Sequence, residues 1–276
     1  MIVKKITSDM NRRDVTCTTY QMRNCFQQFY DGVASELDAH CYFQHQFAAN
    51  LCHASSRVLD VCCGRGMLIP FLRYGKARPE IYVGVDIAKV NAVFATGRDP
   101  RRAKEQKDWG FEIQFVESNV EAMAEPVRAV CRHPFDLIVY TSAIEHMNPD
   151  SQVKSLAQCA ELSGPKSVLY LSCPVTPEGQ SGYDCQYAAH VYEPSYSELH
   201  GWLDDAGWEI DATIGLCTTC TKFRAVLKGV RLKGAEYLYR IQPRAQALCS
   251  IGAMYPEAAT EIAMVCSRKN YAKKSK

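Results

Sequence analysis

Apolar residues follow two rhythms along this chain. Between Tyr20 and Leu51, YQMRNCFQQFYDGVASELDAHCYFQHQFAANL, they recur at helical spacing without a proline, which predicts one or two helices. From Arg57 onward the rhythm changes to short runs rich in Val, Ile, Leu and Tyr: RVLDVC (57–62), IYVGVDI (81–87), EIQFVES (112–118), FDLIVYT (135–141) and SVLYLSC (167–173). These runs return roughly every 25 to 30 residues with helix-like text between them, the pattern of βαβ crossovers that build a parallel sheet. Runs that are apolar almost throughout belong to strands covered on both faces. The pattern therefore predicts a doubly wound α/β fold.

The later text adds to that plan. Residues 174–194 are rich in proline, glycine and tyrosine and too long for a routine turn, so they are expected to form a lid loop. A helix follows over SYSELHGWLDDAG, with Ser195 as N-cap, Glu198 three positions on and Gly207 as its stop. WEIDATIGL (208–216) is expected to be a sixth strand, 221–258 a helical insertion and EIAMVCSRK (261–269) a last strand. The expected organisation is an N-terminal helical cap over 1–54, an α/β domain over 55–270 with a seven-stranded sheet and helices on both faces, and a flexible charged tail over 271–276.

Composition narrows the functions open to such a fold. A chain of 276 residues that is 47% hydrophobic can bury one large core. Thirty-two basic residues against thirty acidic ones leave a net charge of +2, so no global field draws the protein to nucleic acid or to a membrane. Nowhere do eighteen uncharged apolar residues run together, and no apolar stretch follows the charged N-terminus, so a soluble cytoplasmic protein is expected. Fourteen cysteines in a chain with that core are expected to be mostly small buried packing residues. Cys217 and Cys220 have C-x-x-C spacing, but a closed zinc site needs four ligands and no second pair follows, so no metal site is expected.

Candidate chemistry gathers at the strand ends. In LDVCCGRG, Gly64 and Gly66 let the backbone approach a ligand closely where the first strand ends. Asp60 stands just before that turn, where a carboxylate repels a pyrophosphate but attracts an ammonium group. Asp86, at the tip of the second strand and 26 residues after Asp60, has the interval of an acid that accepts hydrogen bonds from ribose hydroxyls. Ser118 and Asn119 are polar groups at the third strand's tip. In open α/β sheets this carboxyl edge is where ligands bind.

On VLDVCCGRG, YVGVDIA, FVESNVEAM and FDLIVYTSAIEHM, in that order, the chain resembles the class I S-adenosylmethionine-dependent methyltransferases over about residues 55–215. The resemblance implies S-adenosyl-L-methionine as cofactor, S-adenosyl-L-homocysteine as product, and an antiparallel last strand that distinguishes this sheet from an NAD-binding Rossmann domain. It implies that Asp60 and the Gly64–Gly66 turn hold the methionine moiety, Asp86 the ribose, Ile87 a face of the adenine and Asn119 its edge, with Cys62 and Thr141 completing the cofactor contacts. Cys62 stands where the family usually has glycine, and it fits if the turn needs no positive φ there. On that footing neither Cys62 nor Cys63 is a nucleophile, and Cys62→Gly is expected to keep cofactor binding.

For the acceptor side, Glu145 and His146 after the fourth strand and His190 in the lid are the titratable candidates for catalysis. Tyr30, Tyr183, Tyr187 and Tyr192 are candidate substrate contacts, and Tyr20 and Arg23 further cofactor or substrate contacts. The near-zero charge, the aromatic lid and HVYEPSYSELHGWLDDAGWEI resemble methyltransferases that act on an oxygen or nitrogen of a small metabolite. The alternative is a nucleic-acid or nucleotide enzyme: YQMRNCFQQFYD and the first turn have a weaker similarity to mRNA cap guanine-N7 methyltransferases, and RDPRRAKEQK (98–107) and KFRAVLKGVRLKG (222–234) are basic enough to hold phosphates. A non-catalytic subunit is a third reading, opposed by the intact Asp60, Gly64, Gly66 and Asp86 set. The acceptor and the oligomeric state stay open.

Overall fold

The computed structural model describes residues 36–64, 66–88, 110–185, 188–218, 244–256 and 259–269. In chain order these form α1 (Glu36–Asn50), β1 (Arg57–Val61), α2 (Leu68–Tyr74), β2 (Ile81–Asp86), β3 (Glu112–Glu117), α3 (Ala124–Val130), β4 (Phe135–Thr141), α4 (Pro149–Glu161), β5 (Ser163–Pro174), α5 (Tyr196–Asp205), β6 (Trp208–Cys217), α6 (Arg244–Met254) and β7 (Glu261–Arg268). Single 3-10 turns at Val120–Ala122 and Ile144–His146 follow β3 and β4.

The seven strands make one sheet in the order β3-β2-β1-β4-β5-β7-β6. Strands β1 to β5 pair in parallel. The last strand is antiparallel: Thr260 N–H donates to the Cys217 carbonyl at 2.9 Å while Lys269 N–H donates to that of Gly207 at 3.0 Å, so β7 runs up as β6 runs down. Burial follows position in the sheet. The inner strands β1, β2 and β4 are buried almost throughout, whereas the edge strands β3 and β6 expose several positions. Their cores are made by Val58, Leu59, Tyr82, Val83, Ile138 and Val139.

The chain starts its sheet in the middle. It moves outward through β2 and β3, then returns to lay β4 on the other side of β1, and the connections after β1 and β4 diverge at this switch point. The turn after β1 and the turn after β4 therefore stand side by side at one edge. Helix starts fix the segments that lead away from it. Asn148 accepts the Ser151 N–H at 2.9 Å with Pro149 at the first helical position, and Ser195 and Glu198 form a complete capping box at α5.

One feature differs from the sequence-based expectation. β5 begins at Ser163, four residues before the apolar run, because an irregular register there pairs Phe135 with Ser163 and Leu137 with Val168. The Ser167 hydroxyl stitches this irregularity, donating to the Phe135 carbonyl at 2.5 Å and accepting from Gly164 N–H at 2.7 Å. Within 221–258, the described helix is α6, and 219–243 lies outside the described residues, as does the tail over 271–276.

Contacts gather the chain into two units. One comprises Met1–Gln44, Tyr187–Ala189 and Ile214–Ile262; within it Ala247, Leu248 and Ile251 of α6 are buried and Thr218 N–H donates to the Leu248 carbonyl at 3.3 Å. The other comprises His45–Gln186, His190–Thr213 and Ala263–Lys276, and holds β1 to β5. No helix among the described residues is long and apolar enough to cross a membrane.

Candidate active site

The turn after β1 is built from left-handed backbone. Cys62, Gly64 and Gly66 have φ of 54°, 53° and 71°. Position 62 thus has a positive φ, so the condition on which a cysteine fits there without strain is not met, and a cysteine is held where glycine is the unstrained residue. A Cβ at Gly64 would meet no atom within 4 Å, so the space over that backbone is open. Cys63 turns inward instead: a Cβ on Gly84 of β2 would lie 2.8 Å from its sulfur and 2.9 Å from Phe115, which is why a strand interior carries glycine there. Burial pushes both the Cys62 and the Cys63 thiols well above their ordinary value, so neither is a thiolate near neutrality.

Asp86 ties the second strand's tip to this turn. Its carboxylate accepts Gly64 N–H at 2.9 Å on Oδ2 and Ala88 N–H at 2.8 Å on Oδ1. Ile87, next to it, is 73% exposed, an apolar side chain turned to solvent at the ligand-binding edge. Ser118 N–H donates to the Asp86 carbonyl at 3.1 Å, which brings the β3 tip alongside, and exposed Asn119 accepts Glu121 N–H at 3.0 Å as cap of the following turn. Asp60 is buried, and its Oδ2 accepts the Tyr82 hydroxyl at 2.6 Å. Burial raises its carboxyl to about 7, the Tyr82 hydrogen bond opposing and the Asp86 charge adding to the shift. The fit to an adenosyl amino acid is physical: open space over glycine backbone, a carboxylate and an exposed apolar side chain at the next strand tip, and a buried acid for a cation.

The turn after β4 carries a second group. Thr141 ends the strand half-buried, and Ser142 is strained at φ 44° while its N–H donates to the Ser172 carbonyl at 2.9 Å. Glu145, only 2% exposed, accepts at its carbonyl the N–H groups of both Val191 (2.8 Å) and Tyr192 (3.1 Å), which docks the 174–194 segment on this turn. That docking brings His190 in. Its Nδ1 lies 2.6 Å from Oε1 of Glu193, its Nε2 lies 4.0 Å from Oε1 of Glu145, and its ring stands edge-on to that of His146 with centroids 5.0 Å apart. Burial, reinforced by the Glu193 charge and eased by His190, raises the Glu145 carboxyl to about 7. Buried Tyr140, which pairs with Val61, joins the two groups: burial holds its phenol well up, with Cys62 and Glu145 adding.

Sequence reasoning and structure thus bring Glu145, His146 and His190 into one cluster, and Asp86, Gly64, Ile87 and Asn119 onto one edge. The tyrosines divide. Tyr183 is 66% exposed and packs edge-on against Tyr192 at 4.8 Å, but Tyr192 is buried and donates its hydroxyl to Glu198 at 2.5 Å. Tyr20, Arg23, Tyr30, Tyr187 and the basic stretches 98–107 and 222–234 lie outside the described residues. Two residues had no sequence signal. Glu193 orients His190 from three positions on in an aperiodic loop, and fully buried Gln152 donates from Nε2 to the carbonyls of Met147 (2.8 Å) and Tyr192 (2.9 Å).

A family model described as a methyltransferase domain matches residues 36–213. No curated protein matches the sequence. Among solved structures, Burkholderia thailandensis 1,6-didemethyltoxoflavin-N1-methyltransferase, with bound 1,6-didemethyltoxoflavin and S-adenosylhomocysteine, is similar at 17% identity and a TM-score of 0.52, covering 91% of this chain and 88% of its own. The cyclase SpnF is similar at 14% identity and a TM-score of 0.54, covering 82% of this chain and 80% of its own. A small RNA methyltransferase is similar at 14% identity and a TM-score of 0.56, covering 83% of this chain but 25% of its own. At these identities the likenesses establish the fold.

Proposed function

The chain belongs to the methyltransferase-domain family, and on that premise we propose that it transfers the methyl group of S-adenosyl-L-methionine to an oxygen or nitrogen of a small-molecule acceptor. The observation that carries the reading is the Asp86 carboxylate clamped to Gly64 N–H at 2.9 Å beside the open glycine backbone and the exposed Ile87. Asp86 then takes the ribose hydroxyls, Ile87 a face of the adenine, Asn119 and Thr141 the polar rim, and Asp60 with the Cys62–Gly66 turn the amino-acid end. When bound, S-adenosylmethionine supplies an electrophilic methyl carbon, its carbon–sulfur bond breaking to leave S-adenosylhomocysteine as the acceptor atom's new bond forms. The chain's own work is positioning and proton removal. The acceptor atom docks at the Glu145–His146–His190 cluster, and where it carries a proton one of these side chains takes it as general base. His190 is only 12% exposed in its side chain, and a group so recessed favours a slender acceptor over a polymer. The near-zero net charge supports the same class.

Calorimetric titration with S-adenosylhomocysteine tests the cofactor reading. Micromolar binding is expected, weakened at least tenfold in Asp86→Ala; no binding by the wild-type protein overturns the proposal. The pH arm has a definite sign. A carboxyl at about 7 in the free protein is ionised above that pH and ready for the ligand's ammonium, whereas below it the proton must leave on binding. Affinity is expected to fall about tenfold per pH unit below 7, a trend Asp60→Asn abolishes.

A further inference from the structure

We propose that Glu145, His146 and His190 hold a divalent transition-metal ion of the zinc type, which receives the acceptor's oxygen or nitrogen. The proposal rests on the reading of this cluster as the acceptor's docking point and names the agent that acts there. One ligand atom from each of the three side chains lies within 4.8 Å of the others. The 4.0 Å between His190 Nε2 and Glu145 Oε1 is too long for a hydrogen bond. It approaches the spacing of about 3.4 Å that two donors take up on one tetrahedral ion with bonds of about 2.1 Å.

The other observations are independent of that spacing. Glu145 Oε2 is buried and has no hydrogen-bond partner among the described residues, an arrangement a cation relieves. Glu193 Oε1 lies 2.6 Å from His190 Nδ1; a carboxylate there accepts from Nδ1–H, and in the neutral ring this places the Nε2 lone pair on the Glu145 side. A carboxylate holding the far nitrogen of a metal-binding imidazole is the usual outer support of such ligands. The ligand-bearing segments are also fixed to one another, since the Glu145 carbonyl accepts both Val191 and Tyr192 N–H. Two imidazoles and one carboxylate select a first-row transition ion over magnesium or calcium. Three protein ligands would leave a position open, as catalytic zinc requires, where the ion's charge would lower the pKa of an acceptor hydroxyl toward neutrality, its proton passing to solvent.

Cobalt(II) is the probe. Untagged full-length protein, stripped with EDTA, is titrated with cobalt(II) while its visible absorption is recorded, and zinc is then added in competition. The expected result is one equivalent of cobalt with d–d bands of a four- or five-coordinate nitrogen and oxygen site, without sulfur-to-cobalt charge transfer, displaced by zinc. Affinity is expected to fall at least tenfold in Glu145→Gln and His190→Gln, and about tenfold in Glu193→Gln, whose effect is on a ligand's support. Thermal melts of all four proteins control for folding. Wild-type protein without the spectrum, or variants with the wild-type spectrum and affinity, overturn the proposal. S-adenosylhomocysteine titration of the same samples keeps the two readings apart: cofactor binding without metal refutes this inference alone, and metal without cofactor refutes the functional reading alone.

Discussion

Cys62 keeps a side chain at a position whose backbone favours none. Its φ of 54° carries the strain of a non-glycine residue in left-handed backbone, of order 1–3 kcal/mol, whereas glycine's extra flexibility in the unfolded chain costs about 0.5–1 kcal/mol. Cys62→Gly is therefore expected to stabilise the protein by about 1 kcal/mol, raising the melting temperature by about 2–4 °C, with S-adenosylhomocysteine affinity retained. A lower melting temperature in differential scanning calorimetry contradicts this account of the turn. The sequence signalled the turn through Gly64 and Gly66 but not the conformation of its cysteine, because φ at one residue is set by the whole connection. Asp86 and Glu145 were legible as acids at strand tips. Glu193 was not, since a loop without periodicity gives no cue to which of its acids folds inward.

The strands were legible as elements because burial on both faces writes itself as continuous apolar runs in β1, β2 and β4. The first residues of β5 were not, since Gly164 and Pro165 weaken the strand signal where the register is irregular. The capping box at α5 was legible because Ser195 and Glu198 carry the local chemistry that makes it. How the 174–194 segment meets the β4 turn was hidden, being a matter of long-range hydrogen bonds. Gln152 of α4 holds two of the carbonyls involved. Gln152→Leu leaves both without that donor, a loss of about 1–3 kcal/mol each where buried. The expected result is faster hydrogen exchange at the Val191 and Tyr192 amides and easier proteolytic cutting nearby. Unchanged exchange at those amides contradicts the role given to Gln152.

At the scale of the molecule, the return of the chain from β3 to β4 puts two different chemistries beside each other. An acid and a glycine turn stand after β1 and β2, and a cluster of two histidines and a glutamate stands after β4. Residues 36–213, which match the methyltransferase-domain model, contain both. The net charge of +2 gives no global field toward a polyanion, which supports the proposed small-molecule acceptor. The most direct measurement follows the methyl group itself. S-adenosylmethionine labelled with tritium on its methyl carbon is incubated with the purified protein and, separately, with a low-mass metabolite extract and with total RNA. The account predicts label in the low-mass fraction, lost in Glu145→Gln and His190→Gln. Label entering RNA instead, or entering neither fraction while S-adenosylhomocysteine still binds, contradicts it.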